Sequence, residues 1–132
     1  MEQKELVSMA FNAMKNAYAP YSEYKVGACV LVRDGNYFLG ANVENASYGA
    51  TSCAERNAIF AAYTYGYRKD DIVAMAIVSG GKTVAAPCGI CRQVLSELLN
   101  EYTPIILSNG QETVIKTMGD LMPMQFGKED LE

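Results

Sequence analysis

Histidine is absent from this chain, and three of its four cysteines fall in two short groups. The first is Thr51-Ser52-Cys53-Ala54-Glu55-Arg56, a single Cys with a Glu two residues later. The second is Pro87-Cys88-Gly89-Ile90-Cys91, a Cys-x-x-Cys pair preceded by proline. With no imidazole available, a metal bound here has to be held by sulfur, and proton transfer falls to a carboxylate. The remaining cysteine, Cys29, lies within an apolar run without partner spacing and reads as a buried free thiol.

Zinc suits this inventory. It accepts thiolates, and three protein ligands with an open fourth position make a catalytic site. Three thiolates leave the centre net negative even with the metal included, which works against ionising a bound water. Two features oppose that. Thr51 or Ser52 is placed to cap a helix starting near Cys53, and Pro87 suits a helix opening, so the cysteines are expected at helix N-termini where the dipole favours thiolate. Arg56 adds a fixed positive charge placed to donate to the sulfurs. Glu55 is the one acidic residue the motif sets beside the metal; as a non-ligand it can take a proton from water and return it to a leaving group. The competing reading is a structural zinc module, because Cys-x-x-Cys pairs commonly serve one. Such a site uses four protein ligands, and only Cys29 or Glu55 is left to supply the fourth.

Cys53-Ala54-Glu55 with Pro87-Cys88-Gly89-Ile90-Cys91 resembles the signature of zinc-dependent nucleoside deaminases, in the three-Cys form of the small homotetrameric cytidine deaminases. Ala19-Pro20-Tyr21-Ser22, Val26-Gly27-Ala28, Asn42 to Tyr48, Cys91-Arg92-Gln93-Val94 and the tail Leu121-Met122-Pro123 with Phe126 agree, so the likeness runs over nearly the whole chain. The resemblance implies hydrolytic deamination of cytidine and deoxycytidine to uridine and deoxyuridine plus ammonia, a pyrimidine-salvage reaction. It implies one Zn2+ per subunit on Cys53, Cys88 and Cys91, with Glu55 moving the protons. It implies that Asn42 and Glu44 bind the ribose hydroxyls and that the backbone near Ala54 and Cys88 orients base and water. Tyr24 stands where the family usually has a phenylalanine packed on the base. Tyr21 supports these aromatics, while Tyr48 and Phe126 reach a neighbouring subunit's site, which makes a homotetramer the expected active form. A small tetrameric deaminase of similar length acts on the nucleoside antibiotic blasticidin S; Asn42, Glu44 and Phe126 favour ordinary ribonucleosides instead.

The acidic balance, a formal net charge of −4, argues against nucleic acid or an anionic membrane as partner, and against a deaminase of polymeric RNA or DNA. Glu2, Lys4 and Glu5 occupy the start, where an export signal would be basic and then apolar, and no apolar run is long enough to span a bilayer. The cysteines are therefore expected reduced, in a cytoplasmic protein.

Hydrophobic spacing predicts a helix over about 3–17, with Leu6, Met9, Ala10, Ala13 and Met14 on one face. Strands are expected at Val26 to Val32 and Tyr37 to Val43, joined by Arg33-Asp34-Gly35-Asn36 as a hairpin turn. On such a strand Asn42 and Glu44 point to the same side; by themselves they also fit a solvent-facing strand end. A helix over about 53–66, a strand from Ile72 to Val78 buried on both faces, and a helix from Cys88 to about Asn100 follow. Pro104 to Leu107 and Thr113 to Thr117 read as strands, and Met118 to Met122 as a short helical turn. Residues 1–132 thus make one domain, an α/β three-layer α/β/α sandwich around a central five-stranded mixed sheet.

Overall fold

The computed structural model describes residues 1–131. The strands are β1 (Val26–Val32), β2 (Tyr37–Ala41), β3 (Ile72–Ser79), β4 (Ile105–Ser108) and β5 (Thr113–Lys116); the helices are α1 (Gln3–Met14), α2 (Ala54–Thr64), α3 (Gly89–Leu98) and α4 (Met118–Leu121). The strands form one mixed sheet in the order β2-β1-β3-β4-β5. β1 runs antiparallel to both neighbours, β3 and β4 are parallel, and β5 returns antiparallel. A parallel pair needs a long crossover, and α3 lies in it.

Alternation along the central strands builds two cores. Ala28, Val30, Val32, Met75, Ile77, Ile105 and Leu107 pack with Ala54, Ala58, Ile59 and Leu95, on the side of α2 and α3. Cys29, Leu31, Ala74, Ala76, Val78 and Ile106 pack with Leu6 and Ala10 of α1 on the other side. Both faces of β3 are therefore apolar, which is why its sequence is a near-continuous apolar run. This is the expected three-layer α/β/α sandwich.

Two glycines set the distance between layers. A Cβ on Gly27 would stand 2.0 Å from the Ala10 carbonyl oxygen, and one on Gly40 would stand 2.2 Å from that of Ala54. Any side chain at either position would push its helix off the sheet. Gly66, at φ +96, follows the C-terminus of α2 and Gly35, at φ +92, sits in the hairpin turn, both in the left-handed region that L side chains rarely adopt.

The second strand ends earlier than expected. Past Ala41 a single backbone bond from Asn42 N–H to Val26 O, at 3.4 Å, is the last to β1, and other partners take over. Tyr18 N–H donates to Asn42 O at 2.9 Å, Glu44 N–H donates to Tyr18 O at 2.8 Å, and Val43 exchanges backbone hydrogen bonds with Ser52. Residues 42–44 are thus held between the segment after α1 and the segment before α2. No described helix is long and apolar enough to cross a membrane.

Candidate active site

The two cysteine groups meet because α2 and α3 begin side by side. Cys53 is the N-cap residue of α2 and Cys88 that of α3, both in extended conformation, and Cys91 is the third residue of α3. The expected caps do something else. The Thr51 hydroxyl accepts from Asn45 N–H at 3.1 Å, the Ser52 hydroxyl donates to Asn57 Oδ1 at 2.6 Å, and Pro87 lies one residue before the cap, outside the helix. Cys88 Sγ caps α3 itself by accepting from Cys91 N–H at 3.5 Å.

The three sulfurs lie within 4.8 Å of one another, with Cys53 and Cys88 4.0 Å apart. Tetrahedral zinc with sulfur bonds of about 2.3 Å needs a separation of roughly 3.8 Å, so a small inward movement suffices. The charge of the cluster also calls for a cation. The Cys53 thiol is brought down to about 5, chiefly by a hydrogen bond from Cys91 and then by Arg56. Cys91 is pushed up, first because it is that donor, then by burial and by the charges of Glu55 and Cys53. Ionising Cys91 beside the Cys53 thiolate therefore calls for a cation such as a metal ion. Cys29 is not a fourth ligand: it is buried on the α1 side of the sheet, and burial pushes its thiol up to about 12.

Arg56 Nη2 donates to Cys53 Sγ at 3.4 Å and to Thr51 O at 3.3 Å, which sets its positive charge against the cluster. Glu55, in the first turn of α2, is only 5 % exposed. Burial, followed by the Cys53 charge, raises its carboxyl, while its own backbone N–H works the other way. A carboxyl held upward in this manner is suited to take and return a proton near neutral pH. Asn57, which spacing alone did not single out, ties this turn to the sheet by donating from Nδ2 to Ala41 O at 2.7 Å.

A cavity of about 280 Å³ opens in front of the sulfurs. Cys53, Cys88, Ala54 and Glu55 line it together with Asn42, Glu44, Ser22 and Tyr24 and an apolar wall of Val26, Ile77, Ala85 and Ala86. Glu44, Ser22 and Asn42 are joined in one network through the Tyr24 backbone. Glu44 accepts from the N–H groups of Tyr21 and Ser22, each at 3.0 Å, and from the Ser22 hydroxyl. Ser22 Oγ in turn accepts from Tyr24 N–H at 3.0 Å. Asn42 Nδ2 donates to Tyr24 O and its Oδ1 accepts from Val26 N–H, both at 2.9 Å. These bonds hold the Glu44 carboxylate and the Tyr24 backbone in place. Tyr21 contributes through its backbone, as its ring is exposed. Ser22 escaped the sequence reading as a site residue because its partner is 22 positions away, although it lies in the quoted Pro20-Tyr21-Ser22 turn. Ser79, also in the wall, lies one residue beyond the strand that the sequence predicts, and β3 extends to include it.

Two expected residues stand apart from this cavity. Tyr48, 79 % exposed, lines an adjoining depression with Tyr21, Ser22, Glu44, Asn45 and Thr51. Phe126 is exposed and outside the cavity lining, its carbonyl accepting from Gln93 Nε2 at 3.0 Å. Arg92 does not face the sulfurs; it donates to Pro87 O at 2.8 Å and Leu121 O at 2.7 Å, fastening α3 to α4.

Residues 1–105 match the family model described as "Cytidine and deoxycytidylate deaminase zinc-binding region". A Halalkalibacterium halodurans protein named cytidine deaminase is 46% identical over 132 residues, covering 99% of this chain and 98% of its own. One of that name from Mycobacterium tuberculosis is 41% identical over 92% of this chain and 87% of its own. Among solved structures, cytidine deaminase from Burkholderia pseudomallei superposes with a TM-score of 0.92 at 45% identity, over 96% of this chain and all (100%) of that one. That from Mycobacterium tuberculosis gives 0.80 at 39% identity, over 96% and 98%.

Proposed function

Given that the chain belongs to the cytidine and deoxycytidylate deaminase zinc-binding family, we propose that it hydrolyses cytidine and deoxycytidine to uridine and deoxyuridine, releasing ammonia. The observation that carries this reading is the buried Glu55 carboxyl beside three converging thiols, in a cavity that Asn42 and Glu44 also line.

Cys53, Cys88 and Cys91 hold the zinc, one ion per subunit. When bound, that ion supplies Lewis acidity that lowers the pKa of a water molecule toward neutrality. Glu55 accepts a proton from the attacking water as its oxygen adds to C4 and delivers it to N3. It then moves the remaining proton of that oxygen, from the hydroxyl now on C4, to the amino nitrogen, which leaves as ammonia as the C4–N bond breaks and C4 becomes a carbonyl. Arg56 offsets the thiolate charge that would hold the water's proton on. Asn42 and Glu44 take the ribose hydroxyls, and Tyr24 lies along the base. The backbone at Ala54 and Cys88 orients base and water.

Tyr48 and Phe126 act on a neighbouring subunit's site in a homotetramer. This accounts for an aromatic tail residue that is exposed and remote from its own cavity. The free thiols fit a reducing compartment, and we place the protein in the cytoplasm, with a free nucleoside as substrate. The structural-zinc reading lacks its fourth ligand, since Cys29 lies across the sheet and Glu55 is not part of the group of ligand atoms that Cys53, Cys88 and Cys91 form.

The test is the loss of the cytidine ultraviolet band on mixing with purified protein. The native sample is expected to show it. Glu55→Ala is expected to fold and bind zinc yet lose nearly all turnover. Wild-type turnover in that variant would remove Glu55 from the mechanism.

A further inference from the structure

Ser79 ends β3 in the cavity wall. It is 1% exposed, and its hydroxyl has no hydrogen-bond partner in the described protein. Strand alternation fixes its direction. Met75 and Ile77 face α2 and α3, whereas Ala74, Ala76 and Val78 face α1. Ser79 therefore points to the site side, with Ile77, which also lines the cavity. Its partner across the sheet is Val26, whose N–H is held by Asn42 Oδ1. Ser79 thus lies close to Asn42 in the wall of the same cavity. A buried hydroxyl without a partner is a cost to the folded protein that a ligand acceptor would recover.

We propose that Ser79 donates its hydroxyl hydrogen to the O2 carbonyl of the bound pyrimidine. The inference rests on the nucleoside reading above. In that reading Asn42 and Glu44 take the ribose, and Glu55 serves N3 and the amino nitrogen on C4. The C5–C6 edge of the ring carries no polar atom. O2 is the base atom left without a side-chain partner, and it adjoins the glycosidic nitrogen, on the ribose side of the ring. A carbonyl has two lone pairs, so a hydroxyl and a backbone N–H can share it. Ser79 then selects for a C2 carbonyl, because a ring lacking one leaves the buried hydroxyl unpaired.

The experiment compares wild type with Ser79→Ala on cytidine, on 2-thiocytidine, whose sulfur is a poor acceptor, and on 2-pyrimidinone riboside as an inhibitor that keeps O2 and lacks the amino group. In Ser79→Ala the KM for cytidine and the Ki of the inhibitor should both rise about tenfold, with kcat unchanged. With 2-thiocytidine the two proteins should differ little. The ligand-free variant should melt no lower than wild type, since it has lost an unpaired buried group. An unchanged KM, or the same penalty on cytidine and 2-thiocytidine, overturns the contact. Wild-type protein that leaves cytidine intact would instead overturn the deaminase reading, and this inference with it.

Discussion

Gly40 in β2 lies against the first turn of α2 so closely that a methyl group there would stand 2.2 Å from Ala54 O and 2.6 Å from Ala58 N. The turn it touches carries Ala54 and Glu55 and is capped by Cys53. Gly40→Ala must therefore displace the proton-transfer group relative to α3. Overpacking of this kind costs about 1–3 kcal/mol. We expect a lower Tm together with a kcat reduced about tenfold or more, since misplacement by an ångström is that expensive. Melting and steady-state kinetics on one preparation check both; an unchanged kcat would show that the contact serves stability alone.

Ser22 connects Glu44 to Tyr24 through its hydroxyl. Ser22→Ala leaves the carboxylate with two backbone N–H partners and no hydroxyl donor. KM for cytidine should rise roughly three- to tenfold while kcat stays near wild type. Ser22→Thr, which keeps the hydroxyl, should recover most of the loss. A fall in kcat at constant KM would contradict this role.

Acid should act on the same contact. The Ser22 hydroxyl, followed by the N–H groups of Ser22 and Tyr21, holds the Glu44 carboxyl below the ordinary glutamate value, against a smaller opposing effect of burial. A depressed carboxyl contributes its bonds above the unfolded-state value and loses them as pH falls through the folded-state one. Glu44 should therefore leave nucleoside affinity flat through neutral pH and weaken it only in acid, below the ordinary glutamate range. In Ser22→Ala that acid limb should move to higher pH. Calorimetric binding of 2-pyrimidinone riboside across pH, in both proteins, measures the displacement; coincident limbs would remove Ser22 as the main cause.

Exposure of Phe126 leads to a mixing test. Glu55→Ala and Phe126→Ala should each be nearly inactive alone. If Glu55 acts in its own subunit and Phe126 in a neighbour's, random mixing after dissociation restores about a quarter of the sites in a one-to-one mixture. No recovery in mixed oligomers would place both residues in one subunit's site.

The elements legible in the sequence were those set by local pattern. Ile72 to Val78 announces a strand because both its faces are apolar, and the Cys-x-x-Cys spacing announces a cluster because one helical turn brings its ends together. What was not legible depends on distant partners. Asn42 and Val43 read as strand, yet their backbones pair with Tyr18 and Ser52. Thr51 and Ser52 read as caps, yet they serve Asn45 and Asn57 while Cys53 takes the cap position. The functional placement of Ser22 and Ser79 likewise comes from tertiary contact, and a serine in a turn or at a strand end carries no local mark of it.

The sulfurs of Cys53 and Cys88 lie 35 positions apart in sequence, with α2 and the central strand β3 between them. A metal bridging them closes that length of chain into a ring. In the chain-entropy account a cross-link over such a loop restricts the unfolded ensemble by about 4 kcal/mol. The ion then acts as a reversible staple on the middle of the domain, and a chelator loosens the tertiary structure as it removes the chemistry. Metal stripping therefore perturbs architecture and catalysis together, whereas Glu55→Ala, which leaves the ring closed, isolates the proton transfer.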